Sequence, residues 1–433
     1  MLRTRSRHVG TCLGSVAFYV AMQISAAAQH PLVRGMDFAN VDKHALAAPP
    51  EASRTLESLA AYLGKGAYSD VTRARAIFRW IAANISYDVA LFTQGSARPG
   101  GFRNQTAAEV LQSRKGVCGC YANLFEDLAR RCGLKAVVVT GYSRGFGYEP
   151  GRSVTNNSHA WIAVSINEQW CLLDPTWGSG YINERNEFVR ELNDYYFLVP
   201  SKELVLTHFP RDPKYQFLPN PVTTKAFEEF VYLKPAFFRM GLRLDAPVKA
   251  HVNVQSDLNI TLFGDNRTQL AAGLWQGDKA FTNDYTFIQN ANGRIEANVE
   301  FPAPGDYAVR LFAKKKGQEG SYTMAVEYGV TAAGAKEGRA GFPKVYEDFN
   351  ERMCQLRTPM NRYLKAGTRP TFSLSVPGAT KVLVLNEAEK EWTTLKRGTD
   401  FRGEARIAPG NVIVCAEFPG AKGYAYLLKY TGY

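Results

Sequence analysis

The sequence predicts an α+β core, in which helices are followed by antiparallel strands, and behind it two all-β sandwich domains. Apolar residues recur at helical spacing between 53 and 84 and again over 119–131. Valine-rich and alternating segments follow between 134 and 174. Beyond about residue 230 helical periodicity disappears, and short alternating segments are separated by Gly, Asn, Asp and Pro, the signature of β-sandwiches. At 433 residues the chain is also longer than one hydrophobic core usually serves.

Arg3, Arg5 and Arg7 precede an apolar run over 9–24, and Ala26-Ala27-Ala28 closes it. A basic start, a short apolar run and small residues describe a signal peptide, 1–28, cleaved after Ala28. A membrane anchor is the alternative, but Gly14, Ser15 and Gln23 interrupt a run that is already short for a bilayer. Residues 29–50 read as a leader segment. Leu56, Leu59, Ala60 and Leu63 share one helical face, with Gly64 as a stop. Asp70 is placed as the cap of a second helix, whose buried face carries Ala74, Ile77, Phe78 and Ile81. A short extended piece at Ile85-Ser86-Tyr87, a Gly/Pro-containing loop at 94–103 and a helix over 106–113 follow. Tyr121, Leu124, Phe125 and Leu128 mark a helix over 119–131, with Gly133 as its stop. Strands are predicted over 134–142, 159–166 and 170–174, the last two joined by a turn at Asn167-Glu168.

The second half holds a weak repeat. Pro304-Gly305-Asp306 and Pro409-Gly410-Asn411 each precede a strand, and each strand is followed by a Gly/Tyr turn and another strand. These marks divide the chain into a catalytic domain over 51–230 and β-sandwiches over 231–333 and 342–433.

The formal charge is +12, spread along the chain apart from Lys314-Lys315-Lys316, which reads as a solvated hairpin tip. No nucleic-acid motif, Walker-type loop, dinucleotide fingerprint or HExxH motif is present. No segment after the first thirty residues is apolar enough for a bilayer span. A secreted or periplasmic protein without stable membrane insertion is therefore expected. Of the cysteines beyond the signal, Cys118, Cys120, Cys132 and Cys171 cluster, whereas Cys354 and Cys415 lie alone in the last domain and are a candidate disulfide pair.

Gly116-Val117-Cys118-Gly119-Cys120-Tyr121-Ala122 places Cys118 at the first turn of a helix, where unpaired N–H groups favour a thiolate, with Lys115 adding positive charge. Ser158-His159-Ala160-Trp161 starts a strand, and Asp174-Pro175-Thr176-Trp177 ends its neighbour. The turn between them brings His159 and Asp174 to the same open end, where the carboxylate orients the imidazole toward a thiol. A zinc site using Cys118, Cys120 and His159 is a weaker reading, because no fourth ligand has suitable spacing. No metal and no cofactor are expected.

Over residues 105–180 the pieces GVCGCYA, GLKAVVVTGY, SHAW and WCLLDPTW resemble the transglutaminase-like superfamily. YYFLVPSKELVLTHF, Leu233-Lys234-Pro235, FPKVYEDF and the β-rich tail further resemble its kyphoscoliosis peptidase-like group. The resemblance implies a papain/transglutaminase-like cysteine-nucleophile core followed by Ig-like sandwiches. It implies Cys118 as nucleophile, His159 as general base and acid, and Asp174 as the orienting carboxylate. Cys120 stands where the family usually has glycine and is the rival nucleophile; a disulfide from Cys120 to Cys118 or Cys132 would place activity under redox control. Tyr87, Gly119 and Trp161 are oxyanion or site-lining candidates, together with the backbone N–H of Cys118. The implied activity is that of a cysteine peptidase or amidohydrolase acting on a protein or peptide substrate, with cell-wall-associated material a candidate. Transglutaminase, deamidase and a non-catalytic binding module that retains the fold are the alternatives. The absence of a Gln-Cys-Trp sequence and of an evident calcium loop favours hydrolysis.

Overall fold

A computed structural model describes residues 30–95, 105–155, 157–183, 185–246, 248–336 and 338–433. The segment read as a signal peptide, and most of the Gly/Pro loop at 94–103, lie outside them.

The two helices between residues 56 and 84 each begin at a hydroxyl cap. Thr55 accepts the Ser58 N–H at the start of Leu56–Lys65, and Ser69 accepts the Thr72 N–H at the start of Asp70–Asn84. Asp70 is thus the first helical residue rather than the cap, and Gly64 lies within the first helix rather than ending it. The faces read from spacing are the buried ones: Leu59, Leu63, Ile77 and Ile81 pack with Tyr121, Leu124, Phe125 and Leu128 of the helix Cys118–Arg131.

Residues set apart as a leader belong to this core. The helix Ala39–Leu46 buries Ala45, Val33 is buried beside it, and Asp42 receives a two-pronged ion pair from buried Arg75. The apolar residues that dock, Leu32, Val33, Phe38, Val41, Ala45 and Ala48, are spread over a mixed stretch whose periodicity does not reveal that docking.

The helices cover one face of a four-stranded antiparallel sheet ordered Gln169–Leu173, Ser158–Ile166, Ala136–Ser143 and His208–Pro210. Asn167 and Glu168, with φ of 48° and 66°, form the two-residue turn expected of a tight hairpin. The valine strand starts at Ala136 rather than at residue 134, because the Leu134 N–H closes the preceding helix on the Ala129 carbonyl, past Gly133 at φ 79°. Its Gly141 lies opposite His159, and a Cβ there would sit 2.2 Å from the Phe209 carbonyl oxygen and 2.7 Å from the Trp161 ring. Only glycine lets the fourth strand come this close.

The other face of the sheet packs on the first β-sandwich. Val139, Trp161 and Leu172 share a continuous apolar cluster with Tyr232, Phe237 and Tyr328. Arg144 is fully buried at this seam, donating to the carbonyls of Leu206, Val231 and Phe227, while Tyr232 donates its hydroxyl to the Arg144 carbonyl.

In the first sandwich, a sheet of Arg243–Ala246, Asp257–Phe263, Arg294–Glu300 and Thr286–Ala291 faces one built on Thr323–Ala332, Gly305–Lys315 and Thr268–Gln276. The second sandwich repeats the plan around Ala425–Gly432, Gly410–Glu417 and Lys381–Asn386. Gly305 and Gly410, the repeat marks in the sequence, open equivalent strands with φ of 150° and 106°, and each hairpin carries a register shift near its middle. Cys354 and Cys415 are both buried as free thiols, so the disulfide considered from the sequence is not formed; the other four described cysteines are free as well.

Candidate active site

Cys118 is the first residue of its helix. The capping residue Val117 is extended and brings no side-chain acceptor, so the cap leaves the N–H groups of Cys118 and Gly119 to the cavity. Lys115 does not add free charge, because its ammonium pairs with Asp88 at 3.3 Å. Parallel pairing of Ser86 with Lys115 and of Tyr87 with Gly116 draws Tyr87 alongside the nucleophile.

Behind the thiol lies a buried polar row. His159 and Ala160 line the same cavity as Cys118, and both act on its thiol. The Nε2 of His159 is 2.8 Å from Asp174 Oδ2, which leaves Nδ1 to face the sulfur. Asp174 Oδ1 accepts the N–H groups of Thr176 and Trp177 at 2.8 and 3.1 Å, fixing the carboxylate by the turn that follows it.

One member of this row escaped sequence reasoning. His208 Nε2 lies 3.0 Å from the same Oδ2, and its Nδ1 lies 2.9 Å from the Thr207 hydroxyl. Trp177 packs 4.4 Å from its ring and Trp161 5.1 Å, both measured between centroids. His208 is fully buried, 34 residues beyond Asp174, on a three-residue strand too short for a periodic signal.

Burial raises the Cys118 thiol, but the hydrogen bond and charge of His159, with the Ala160 amide, outweigh it and bring the net value below the ordinary one. Burial opposes protonation of His159, yet the charge and hydrogen bond of Asp174, with Cys118, lift it to about 10. Burial would raise Asp174, and the two imidazoles override this and hold it well below the usual carboxylate range. Burial pulls His208 down to about 4 against the pull of Asp174, with the charge of His159 lowering it further. The chemical outcome is a thiolate–imidazolium pair backed by a carboxylate and a neutral histidine.

His208 is thus a positioning residue that holds Asp174. The variant His208→Gln is expected to lower kcat about tenfold with little change in KM, because only the aim of the carboxylate is disturbed. His208→Asn, whose shorter amide falls farther from Oδ2, is expected to lose more; a pH–rate profile and the KM-against-kcat split distinguish this from simple loosening of the fold.

Cys120 faces elsewhere. It is fully buried, its thiol donates toward Gln105 Oε1 at 3.4 Å, and burial raises its pKa. The geometry also separates the zinc ligands considered above. The three groups His159, Asp174 and His208 place donor atoms within 4.8 Å of one another, but both imidazoles already spend Nε2 on a single carboxylate oxygen.

A cavity of about 920 Å³ opens over Cys118 and Gly119, walled by Tyr87, Phe92, Trp177 and Phe188. Burial pushes the Tyr87 phenol well above its ordinary value, so its hydroxyl stays a donor facing the cavity. Trp161 is not on the cavity wall; its buried ring stacks 6.1 Å beneath the His159 ring, so it supports the site from below.

Residues 57–175 match the family model of the Transglutaminase-like superfamily, and 224–343 match that of the KY-like, immunoglobulin-like domain. The chain is 29% identical to kyphoscoliosis peptidase of Homo sapiens over 87% of its own length and 74% of that protein. It is 30% identical to kyphoscoliosis peptidase of Mus musculus over 63% of its length and 40% of that protein. It is 28% identical to Hillarin of Drosophila melanogaster over 48% of its length and 26% of that protein. The chain thus carries a transglutaminase-like domain joined to a KY-like immunoglobulin-like domain, and over most of its length it is similar to the kyphoscoliosis peptidases.

Proposed function

We propose that the protein is an exported cysteine-dependent enzyme that hydrolyses peptide or isopeptide amides through a thioester. The observation that carries this is Cys118 at its helix start on the same cavity wall as His159, with Asp174 fixed behind the imidazole. The thiolate attacks the amide carbonyl carbon, and the oxyanion forms beside the N–H groups of Cys118 and Gly119, within reach of the Tyr87 hydroxyl. As the C–N bond breaks, His159 gives its proton to the leaving amine, and the acyl group remains on sulfur. Water, deprotonated by the now neutral His159, adds to the thioester, releases the acid and restores the thiol.

Hydrolysis is favoured over transfer on sequence grounds, since neither Gln-Cys-Trp nor an evident calcium loop is present. Export rests on the N-terminal pattern alone, and substrates are then proteins or peptides met outside the cytoplasm, wall-associated ones among them. The test incubates purified protein with a peptide mixture, with and without a primary amine. New N-termini are the expected product. Ammonia without cleavage would replace peptidase by deamidase, and amine incorporation would replace it by transglutaminase. No product of any kind, from protein whose Cys118 also fails to react with thiol reagents, would leave the binding-module alternative.

A further inference from the structure

We propose that the cavity over Cys118 binds a substrate carboxylate, with Lys234 and Arg211 as the specificity-determining residues. The preferred substrate is then a peptide carrying a carboxylate close to the scissile amide. This rests on the reading of Cys118 as the nucleophile.

Lys234 comes from the first β-sandwich, yet it lines the same cavity as Cys118. Its ammonium donates to the Tyr232 hydroxyl, and that hydroxyl donates to the Arg144 carbonyl. The Arg144 N–H in turn donates to the carbonyl of Thr207, the neighbour of His208, at 2.9 Å. Two side-chain hydrogen bonds therefore tie this cation to the backbone beside the catalytic row. The ammonium has three donors, of which Tyr232 takes one. Among the described residues it has no ion pair, and Glu327, the carboxylate whose charge reaches it, is engaged by Arg310 at 2.8 Å.

Arg211 reaches the cavity from another direction. Pro210 pairs with Gly141, which pairs with His159, so Arg211 follows a position two strands away, roughly 10 Å from the histidine backbone. Its N–H is fixed on the Thr140 carbonyl at 3.0 Å, and its guanidinium lies over Tyr142. It is exposed and makes no ion pair among the described residues.

Among the described residues of the wall, Glu191 is the one carboxylate. It lies just past the hairpin of Gly180–Ile182 and Phe188–Arg190, whose Phe188 ring packs against Tyr87. The wall near the sandwich is therefore cationic. Burial without a counter-ion draws the Lys234 ammonium down to about 8, although Glu327 pulls the other way. A carboxylate placed against it would form a charge-assisted hydrogen bond and supply that counter-ion. A neutral ligand would leave the charge unpaired, so the site discriminates against it.

The test compares alkylation of Cys118 by iodoacetate and by iodoacetamide at pH 7, located by peptide mass mapping. Each reaction forms a sulfur–carbon bond and expels iodide, and the reagents differ in bearing a carboxylate or a neutral amide. The iodoacetate-to-iodoacetamide rate ratio is expected to fall roughly three- to tenfold in Lys234→Met and in Arg211→Gln, and to hold in Lys234→Arg. A ratio within twofold of the parent in both neutral variants overturns the proposal. Failure of Cys118 to react with either reagent in the parent overturns the catalytic reading and this proposal together. If Lys234→Met does not fold, Arg211→Gln at its exposed position carries the test. Peptides with Glu or Gln beside the cleaved bond, and with free or amidated C-termini, then identify the source of the carboxylate. A preference for either acid that drops toward one in the neutral variants supports the assignment, and a preference unchanged in both sinks it.

Discussion

Replacing Cys118 by Ala is expected to abolish thiol-probe labelling in the cavity and to reduce turnover by about 10⁵-fold or more, since members of a catalytic row act as a unit. The fold should survive, because Cys118 is half-buried and its removal leaves a gap that opens on the cavity. The informative partner is Cys120→Ala. Its sulfur is fully buried against Gln105, so that variant should keep labelling and turnover while losing a little packing stability. Mass mapping of a cysteine-reactive probe checks both. Label transferred to Cys120 in the first variant, or lost in the second, would exchange their roles.

Asp174→Asn should be nearly as damaging to turnover, by about 10³–10⁴-fold, because the amide no longer fixes the tautomer or stabilises the imidazolium. It should also change the pH response, and the sign follows from each group. The raised value of His159 gives stability that is fully present below about 6.5 and lost as pH rises through about 10. The depressed value of Asp174 gives stability present above the ordinary carboxyl range and lost only in strong acid. Neutral His208, drawn down to about 4, contributes above about 6.5 and loses that contribution as pH falls through about 4. Taken together, these groups place the greatest stability of the parent protein near pH 6.5, falling toward about 10 as His159 loses its proton and toward about 4 as His208 gains one. In Asp174→Asn the alkaline limb should retreat toward the ordinary histidine range, because the carboxylate that lifted His159 is gone. Thermal melts across pH 5–11 test this, and an unmoved alkaline limb would mean that another group governs it.

How much of this was legible depends on distance along the chain. The buried faces of the early helices, the turn at Asn167-Glu168 and the juxtaposition of His159 with Asp174 follow from periodicity and turn chemistry within a few residues. The β-repeat was legible from its glycines, because Gly305 and Gly410 occupy backbone conformations that side chains resist. His208 was not, although Thr207-His208-Phe209 stood in a segment noted for its resemblance. Its meaning arises only when that short strand pairs with 141–143, across the close approach that Gly141 permits. Lys234 was hidden for a similar reason: a lysine before proline carries no local sign that it turns into another domain's cavity. The docking of residues 30–48 depended on Arg75 reaching Asp42 across 33 positions, which spacing cannot foretell.

The seam at Arg144 has a consequence for how the chain can be divided. Cutting at residue 230 would expose the sheet face carrying Val139, Trp161 and Leu172, and would take from the buried guanidinium the Val231 carbonyl that it holds. A buried charge stripped of partners is among the more destabilising lesions a protein can suffer. The transglutaminase-like core and the first sandwich are therefore expected to melt together in a single transition, which calorimetry checks. The sandwich is part of the core's own packing rather than a tether attached to it.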